Sequence, residues 1–274
     1  MHCHSTASDG ECTPIEVAQR AQAAGLAAIA LTDHDTTDGV AAAAREGARL
    51  GVRVVPGCEF SVRAPWGELH LLAYFLPPGD GRLQAFLQET RDARRRRCEQ
   101  MVAKLQALGV AITFEDLRAD GAMGRPHVAR ALVDCGASSD IREAFRHFLG
   151  RGRPAYVEKP LPTLARVAEL VHAVGGLVVA AHLGEHGSEG QLRVFRDDGL
   201  DGVEVRHPSH PPVVEQRLTT LAERLGLGIS GGSDWHGDSE YGSTHAPLGG
   251  LRVPEEWLGR LERRLSPTTM RTNA

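Results

Sequence analysis

The histidines and acids of this 274-residue chain fall in short, patterned groups. His2 and His4 are two apart, so in an extended segment both imidazoles face one way and Cys3 the other. Asp33, His34 and Asp35 follow an apolar run directly, Glu59 comes just after another, and His70 sits inside a third. His182, His207, and Asp234 with His236 each close a later run. Imidazoles and carboxylates with no thiolate role suit Mn²⁺, Fe²⁺ or Zn²⁺ better than Ca²⁺. A lone histidine is more often a core or surface residue than a ligand. Joint placement outweighs that reading here, because each of seven successive predicted strands ends in His, Asp or Glu. His147, His172, His186, His210 and His245 match no such pattern and are given no catalytic role.

The elements that must position these groups alternate. Strands are expected at residues 1–4, 27–32, 52–55, 69–75, 177–181, 202–205 and 227–230. Helices are expected between them. One opens at Thr13-Pro14-Ile15-Glu16, where Thr13 can cap and Glu16 can complete a capping box, and others cover about 38–50, 163–174, 188–196, 212–225 and 254–265. Such alternation predicts an α/β fold with a parallel sheet or barrel. A closed barrel is favoured because the polar residues gather at the carboxyl ends of strands, where barrel loops converge. Residues 83–157 read as helices alone, which divides the chain into a first barrel part (1–87), a helical insertion (88–157) and a second barrel part (158–274).

Composition fits a globular protein: 42% of residues are hydrophobic, 24% are charged, and the net charge is −4. No broad basic field marks a nucleic-acid coat protein, so an anionic substrate has to be held locally. The five cysteines are odd in number with no C-x-x-C spacing, which suits reduced thiols. Nothing approaches the roughly 18 apolar residues a membrane helix requires, and a cytoplasmic location is expected.

Four ordered motifs carry a resemblance: His2-x-His4 with Ser5, Thr6, Asp9 and Gly10; Leu31-Thr32-Asp33-His34-Asp35; Pro56-Gly57-Cys58-Glu59; and Gly232-Ser233-Asp234-x-His236. The chain resembles the polymerase and histidinol phosphatase (PHP) superfamily over nearly its whole length. Gly124-Arg125-Pro126-His127 and Glu204-Val205-Arg206-His207-Pro208 point to the subgroup similar to nucleoside 3′,5′-bisphosphate phosphatases and 5′-to-3′ exoribonucleases. The resemblance implies a distorted (β/α)₇ barrel with a helical insertion between its fourth and fifth strands, and a centre of three divalent metals, with Mn²⁺ foremost. It implies one metal on His2, His4, Glu59 and Asp234, a second on Asp9, His34 and His236, and a third on Glu59, His70 and His182. Glu59 would bridge, and His127 is an alternative to His182.

Clustered cations bind phosphoryl oxygens, generate hydroxide near neutral pH and stabilise a departing alkoxide. Arg125 is the best phosphate clamp, since a guanidinium engages two oxygens at once. Asp35, His127 and His207 are its expected companions in substrate contact, and His207 could also protonate the leaving oxygen. The Arg94–Arg97 run reads as a solvated helix face and Trp235 as packing. The expected activity is hydrolysis of nucleoside 3′,5′-bisphosphates, or 5′-end trimming of short RNA, by a monomer with no membrane and no stable nucleic-acid complex. Histidinol-phosphate phosphatase and a non-catalytic metal-stabilised domain are the alternatives. An amidohydrolase is disfavoured because neither Lys104 nor Lys159 lies in a predicted core strand.

Overall fold

The computed structural model describes residues 1–117, 123–238 and 246–265. The chain packs as two compact units, Met1–Ala85 with Leu161–Ala274, and Phe86–Pro160. The first holds a single six-stranded sheet in the order β1 (Ala28–Leu31), β2 (Arg53–Ala64), β3 (Gly67–Tyr74), β4 (Leu177–Ala180), β5 (Gly202–Arg206) and β6 (Gly228–Gly231). Along β1 the alternation of strand side chains sorts the core. Ala30 joins Val55, Leu72 and Val179 on one face, while Ile29 and Leu31 join Val17, Ala21 and Ala43 on the other.

The expected all-parallel sheet is corrected: β2/β3 and β3/β4 pair antiparallel, and the other three pairings are parallel. β2 runs into β3 through a tight turn between the paired Ala64 and Gly67, too short for a crossover helix, so antiparallel pairing is forced. β2 is also much longer than the four residues expected. Pro56-Gly57 reads as a turn in isolation, yet it lies where β2 leaves β1 (Leu31 opposite Pro56) and takes up β3 (Gly57 opposite Tyr74). A Cβ on Gly57 would stand 2.9 Å from the Leu31 carbonyl oxygen and 3.0 Å from that of Ala73, so only glycine fits between both neighbours.

Residues 1–4 form no strand of the sheet, only the bridge Cys3 to Trp235. The segment nonetheless ties together the chain following β1 and the chain following β6. Thr32 N–H donates to the Cys3 carbonyl at 3.0 Å, His4 N–H to that of Trp235 at 2.9 Å, and Asp234 N–H to that of His2 at 3.0 Å. The buried Tyr74 hydroxyl donates to the Met1 carbonyl at 2.8 Å.

Helices α1 (Pro14–Ala23), α2 (Val40–Leu50), α6 (Leu164–Ala173), α7 (Glu189–Asp197), α8 (Pro212–Leu225) and α9 (Glu255–Glu262) accompany the sheet. α1 starts where its sequence signals it: Glu16 N–H donates to the Thr13 hydroxyl, and the Glu16 carboxylate accepts from Thr13 N–H at 2.7 Å. The second unit contains most of α3 (Gly81–Ala107), together with α4 (Arg125–Asp134) and α5 (Ile141–Ala144), around Met101, Leu105, Val128, Leu132 and Leu149. There Arg97 departs from the expected solvated face, being buried with its Nε donating to the Val157 carbonyl at 2.9 Å. No helix among the described residues is long and apolar enough to cross a membrane.

Candidate metal centre

The bridging segment sets the first two imidazoles. Alternation sends Cys3 into the cluster around Val17 and Trp235, and leaves His2 and His4 buried on the opposite side. His34 follows β1, Glu59 and His70 stand within β2 and β3, His182 follows β4, His207 follows β5, and Asp234 and His236 follow β6. Asp35, His182 and Asp234 hold positive φ angles of 52°, 31° and 50°, sharp turns that side-chain-bearing residues seldom adopt.

Glu59 is the centre of the arrangement. Its Oε2 lies 3.2 Å from His2 Nε2, 3.1 Å from His4 Nε2 and 3.3 Å from His34 Nδ1. Its Oε1 lies 2.8 Å from His70 Nδ1 and 3.4 Å from His182 Nε2. Asp234 Oδ1 faces His2 and His4 at 3.1 and 3.3 Å, while Asp9 approaches His236 at 3.4 Å and His34 at 3.7 Å. Of these, His34, Glu59, His70, His182, Asp234 and His236 line a cavity of about 300 Å³ together with His207 and Ser209. Burial alone would raise the pKa of Glu59, but the imidazoles of His34, His2 and His70 hold it well below the usual carboxylate range. Burial opposes a charge on His4 as well, yet the carboxylates of Asp234 and Glu59 beside it push it up to about 10. His34 is the exception, with burial dominant and its pKa lowered to about 4.

The donor set fits divalent cations. Both ring nitrogens of His4 and Nδ1 of His34 are buried without a hydrogen bond. Such orphaned groups are costly, and a shared cation is what would satisfy them. Ligand atoms of His2, His4, Glu59 and Asp234 lie within 4.8 Å of one another, as do those of His4, Asp9, His34 and His236, and those of His34, Glu59 and His70.

The chain is similar to known proteins. The PHP domain matches residues 1–78. A 3′,5′-nucleoside bisphosphate phosphatase of Chromobacterium violaceum is 38% identical over 258 residues, 88% of each chain. The chain belongs to the PHP family. It is a metal-dependent phosphoesterase, a hydrolase. A 5′-3′ exoribonuclease of Haemophilus influenzae is 31% identical over 243 residues, covering 86% of this PHP chain and 89% of its own. The crystal structure of a Bifidobacterium adolescentis protein named as a metal-dependent phosphoesterase superposes with a TM-score of 0.84 at 33% identity, over 97% of this chain and 95% of that one.

Arg125 and His127 occupy the first turn of α4 in the second unit, Arg125 over the Phe145 ring at 5.5 Å and His127 Nδ1 accepting from Gly124 N–H at 3.2 Å. Asp35 is buried, 1% exposed, with its N–H donating to the Glu59 carbonyl. Trp235 is buried packing. Among the histidines given no role, His172 bonds Asp201, His186 stacks on Trp66, His147 is exposed, and His210 is a buried hydrogen-bonding residue. His245 lies outside the described residues.

Two acids of the quoted motifs, given no role from the sequence, support the site. Glu204 is fully buried in β5, its Oε1 3.1 Å from His2 Nδ1 and its Oε2 accepting from His182 N–H at 3.0 Å. Asp33 accepts from Ser5 N–H, the Ser5 hydroxyl and the Ser8 hydroxyl at 2.7, 2.7 and 2.8 Å, holding the loop that carries Asp9. The available signal was a glutamate inside the apolar Gly-Val-Glu-Val run, where a charge is expensive unless paired.

Proposed function

We propose that this protein removes the 3′-phosphate of nucleoside 3′,5′-bisphosphates, yielding a nucleoside 5′-monophosphate and phosphate. The observation that carries the reading is Glu59, one carboxylate faced on both oxygens by imidazoles from five places in the chain. The similarity to the Chromobacterium violaceum phosphatase favours the bisphosphate, and that to the Haemophilus influenzae enzyme favours short 5′-phosphorylated RNA as a second substrate. Three cations, Mn²⁺ foremost, would be held by His2, His4, Glu59 and Asp234, by Asp9, His34 and His236, and by Glu59, His70 and His182. Bound there, they would supply charge neutralisation for the phosphoryl group and activation of water. The chain's own side chains do the rest: Glu59 and Asp234 set the spacing of the centre, His207 contacts a phosphoryl oxygen, and Arg125 and His127 take a distal phosphate.

In this reading residues 88–157 are an insertion between β3 and β4, and the sheet with its bridging segment 1–4 is a distorted seven-stranded barrel. The protein works as a cytoplasmic monomer. Phosphate release after chelation and reloading with Mn²⁺, Fe²⁺ or Zn²⁺ tests it, using adenosine 3′,5′-bisphosphate, a 5′-phosphorylated oligoribonucleotide and histidinol phosphate. Turnover of the first is expected. Turnover of histidinol phosphate alone overturns the substrate, and activity unchanged by chelation overturns the mechanism.

A further inference from the structure

The partner of the Nδ1 nitrogen separates His207 from His2 and His236. His2 presents Nδ1 to the Glu204 carboxylate at 3.1 Å, and His236 presents Nδ1 to the Asp234 carbonyl at 2.9 Å. An acceptor there keeps the ring proton on Nδ1 and frees the Nε2 lone pair for a cation. His207 is wired the other way round. Its Nδ1 receives the Ser209 backbone N–H at 3.2 Å, and the Ser209 hydroxyl stands 2.7 Å from the same nitrogen. A peptide N–H can only donate, so Nδ1 is the accepting nitrogen and the ring proton sits on Nε2.

That Nε2 is buried without a hydrogen bond, on the cavity wall 3.5 Å from Asp234 Oδ2. The turn holding it is anchored at both ends. His210 N–H donates to the His207 carbonyl at 2.9 Å, His210 Nδ1 donates to the Val205 carbonyl at 2.8 Å, and His210 Nε2 accepts from Gly184 N–H at 3.0 Å. Ser209 N–H therefore has no easy way to swing off the ring.

We propose that His207 is a hydrogen-bond donor from Nε2 to a phosphoryl oxygen of the substrate and ligates no metal, and that Ser209 is the positioning residue that sets this tautomer. The proposal rests on the phosphoesterase reading for the identity of the acceptor alone. His2, Glu204 and His207 have ligand atoms close enough to bracket a cation. The His2–Glu204 contact is already a hydrogen bond, however, and the His207 nitrogen facing the cavity carries the proton. Charge develops on phosphoryl oxygens during ester cleavage, so a donor already aimed from a buried wall stabilises the transition state with little reorganisation.

Long-range ¹H–¹⁵N correlation spectra of the zinc-loaded, ¹⁵N-histidine-labelled protein read the tautomer directly, with the His207 signals assigned by their loss in His207→Gln. A proton on Nε2 is expected, retained in Ser209→Ala, which keeps the amide. In Ser209→Pro, checked for folding by circular dichroism, an Nδ1–H population is expected at unchanged zinc content. A proton on Nδ1 in the wild type overturns the proposal. His207→Asn, whose amide sits near the Nδ1 position, is expected to lower kcat on adenosine 3′,5′-bisphosphate on the order of 10²-fold, with His207→Gln recovering about tenfold because its N–H lies near Nε2. Both variants should keep full metal content by mass spectrometry, and loss of one equivalent in either overturns the proposal. Tautomer and metal content are read without substrate, so a wild type that releases no phosphate defeats the functional reading and leaves the wiring tested separately.

Discussion

Glu59 and Glu204 are both buried acids beside His2, and they differ in what they touch. Glu59 turns both oxygens to the cavity and its imidazoles, while Glu204 spends its two on His2 Nδ1 and the His182 amide behind them. Glu59→Ala removes the group shared between the proposed metals, so turnover should vanish and bound metal should fall. A variant with normal rate and normal metal content would remove its bridging role. Glu204→Gln keeps size and one acceptor but sets an NH₂ against His2 Nδ1–H or the His182 amide. Metal affinity should then drop about 10–100-fold, the usual penalty for losing such an outer partner. Titration calorimetry with Mn²⁺ reads that loss without assaying the ester.

The strands and helices set these groups through local geometry that mutation can probe. Gly57→Ala drives a Cβ against the carbonyls of Leu31 and Ala73, two residues before Glu59. Overpacking of this kind costs about 1–3 kcal/mol, and a lower urea midpoint together with reduced metal content is the expected result. At the opposite end of β4, His172 on α6 bonds Asp201 at 2.7 Å, and the same Asp201 oxygen accepts from Val178 N–H at 2.8 Å. The Asp201 hydrogen bond outweighs burial and raises the pKa of His172 above the usual 6.5. Its contribution is therefore fully present below about pH 6.5 and is lost as pH rises through the raised value. The stability gap between wild type and His172→Gln should shrink from pH 6 to pH 9, and an NMR titration of His172 with a midpoint at or below 6.5 would contradict the assignment.

Across the molecule the candidate metal ligands run from the first four positions to His236, so a bound cation links distant parts of the chain that folding alone must otherwise hold together. Chelation should lower the melting temperature, and metal at 100 times its dissociation constant should restore about 2.7 kcal/mol. A melting curve indifferent to chelator would show that no cation sits among these groups in solution. Much of this molecule was legible in one dimension. The Thr13 cap, the strand-end positions of His182, His207 and Asp234, and the facing of His2 and His4 away from Cys3 all follow from neighbours within a few residues, which set backbone propensity and side-chain alternation. Other features were not. Pro56-Gly57 reads as a turn until β1 and β3 are present on either side of it, and the antiparallel pairing of β3 with β4 depends on which later strand takes up the free edge of the hairpin. The acid behind His2 stands 202 residues away, and no local pattern names it. Residue type and local geometry decide what a side chain can do, and they are written along the chain. Which nitrogen of His207 keeps its proton and which acid faces which ring depend on through-space approach, and only the folded register brings those atoms together.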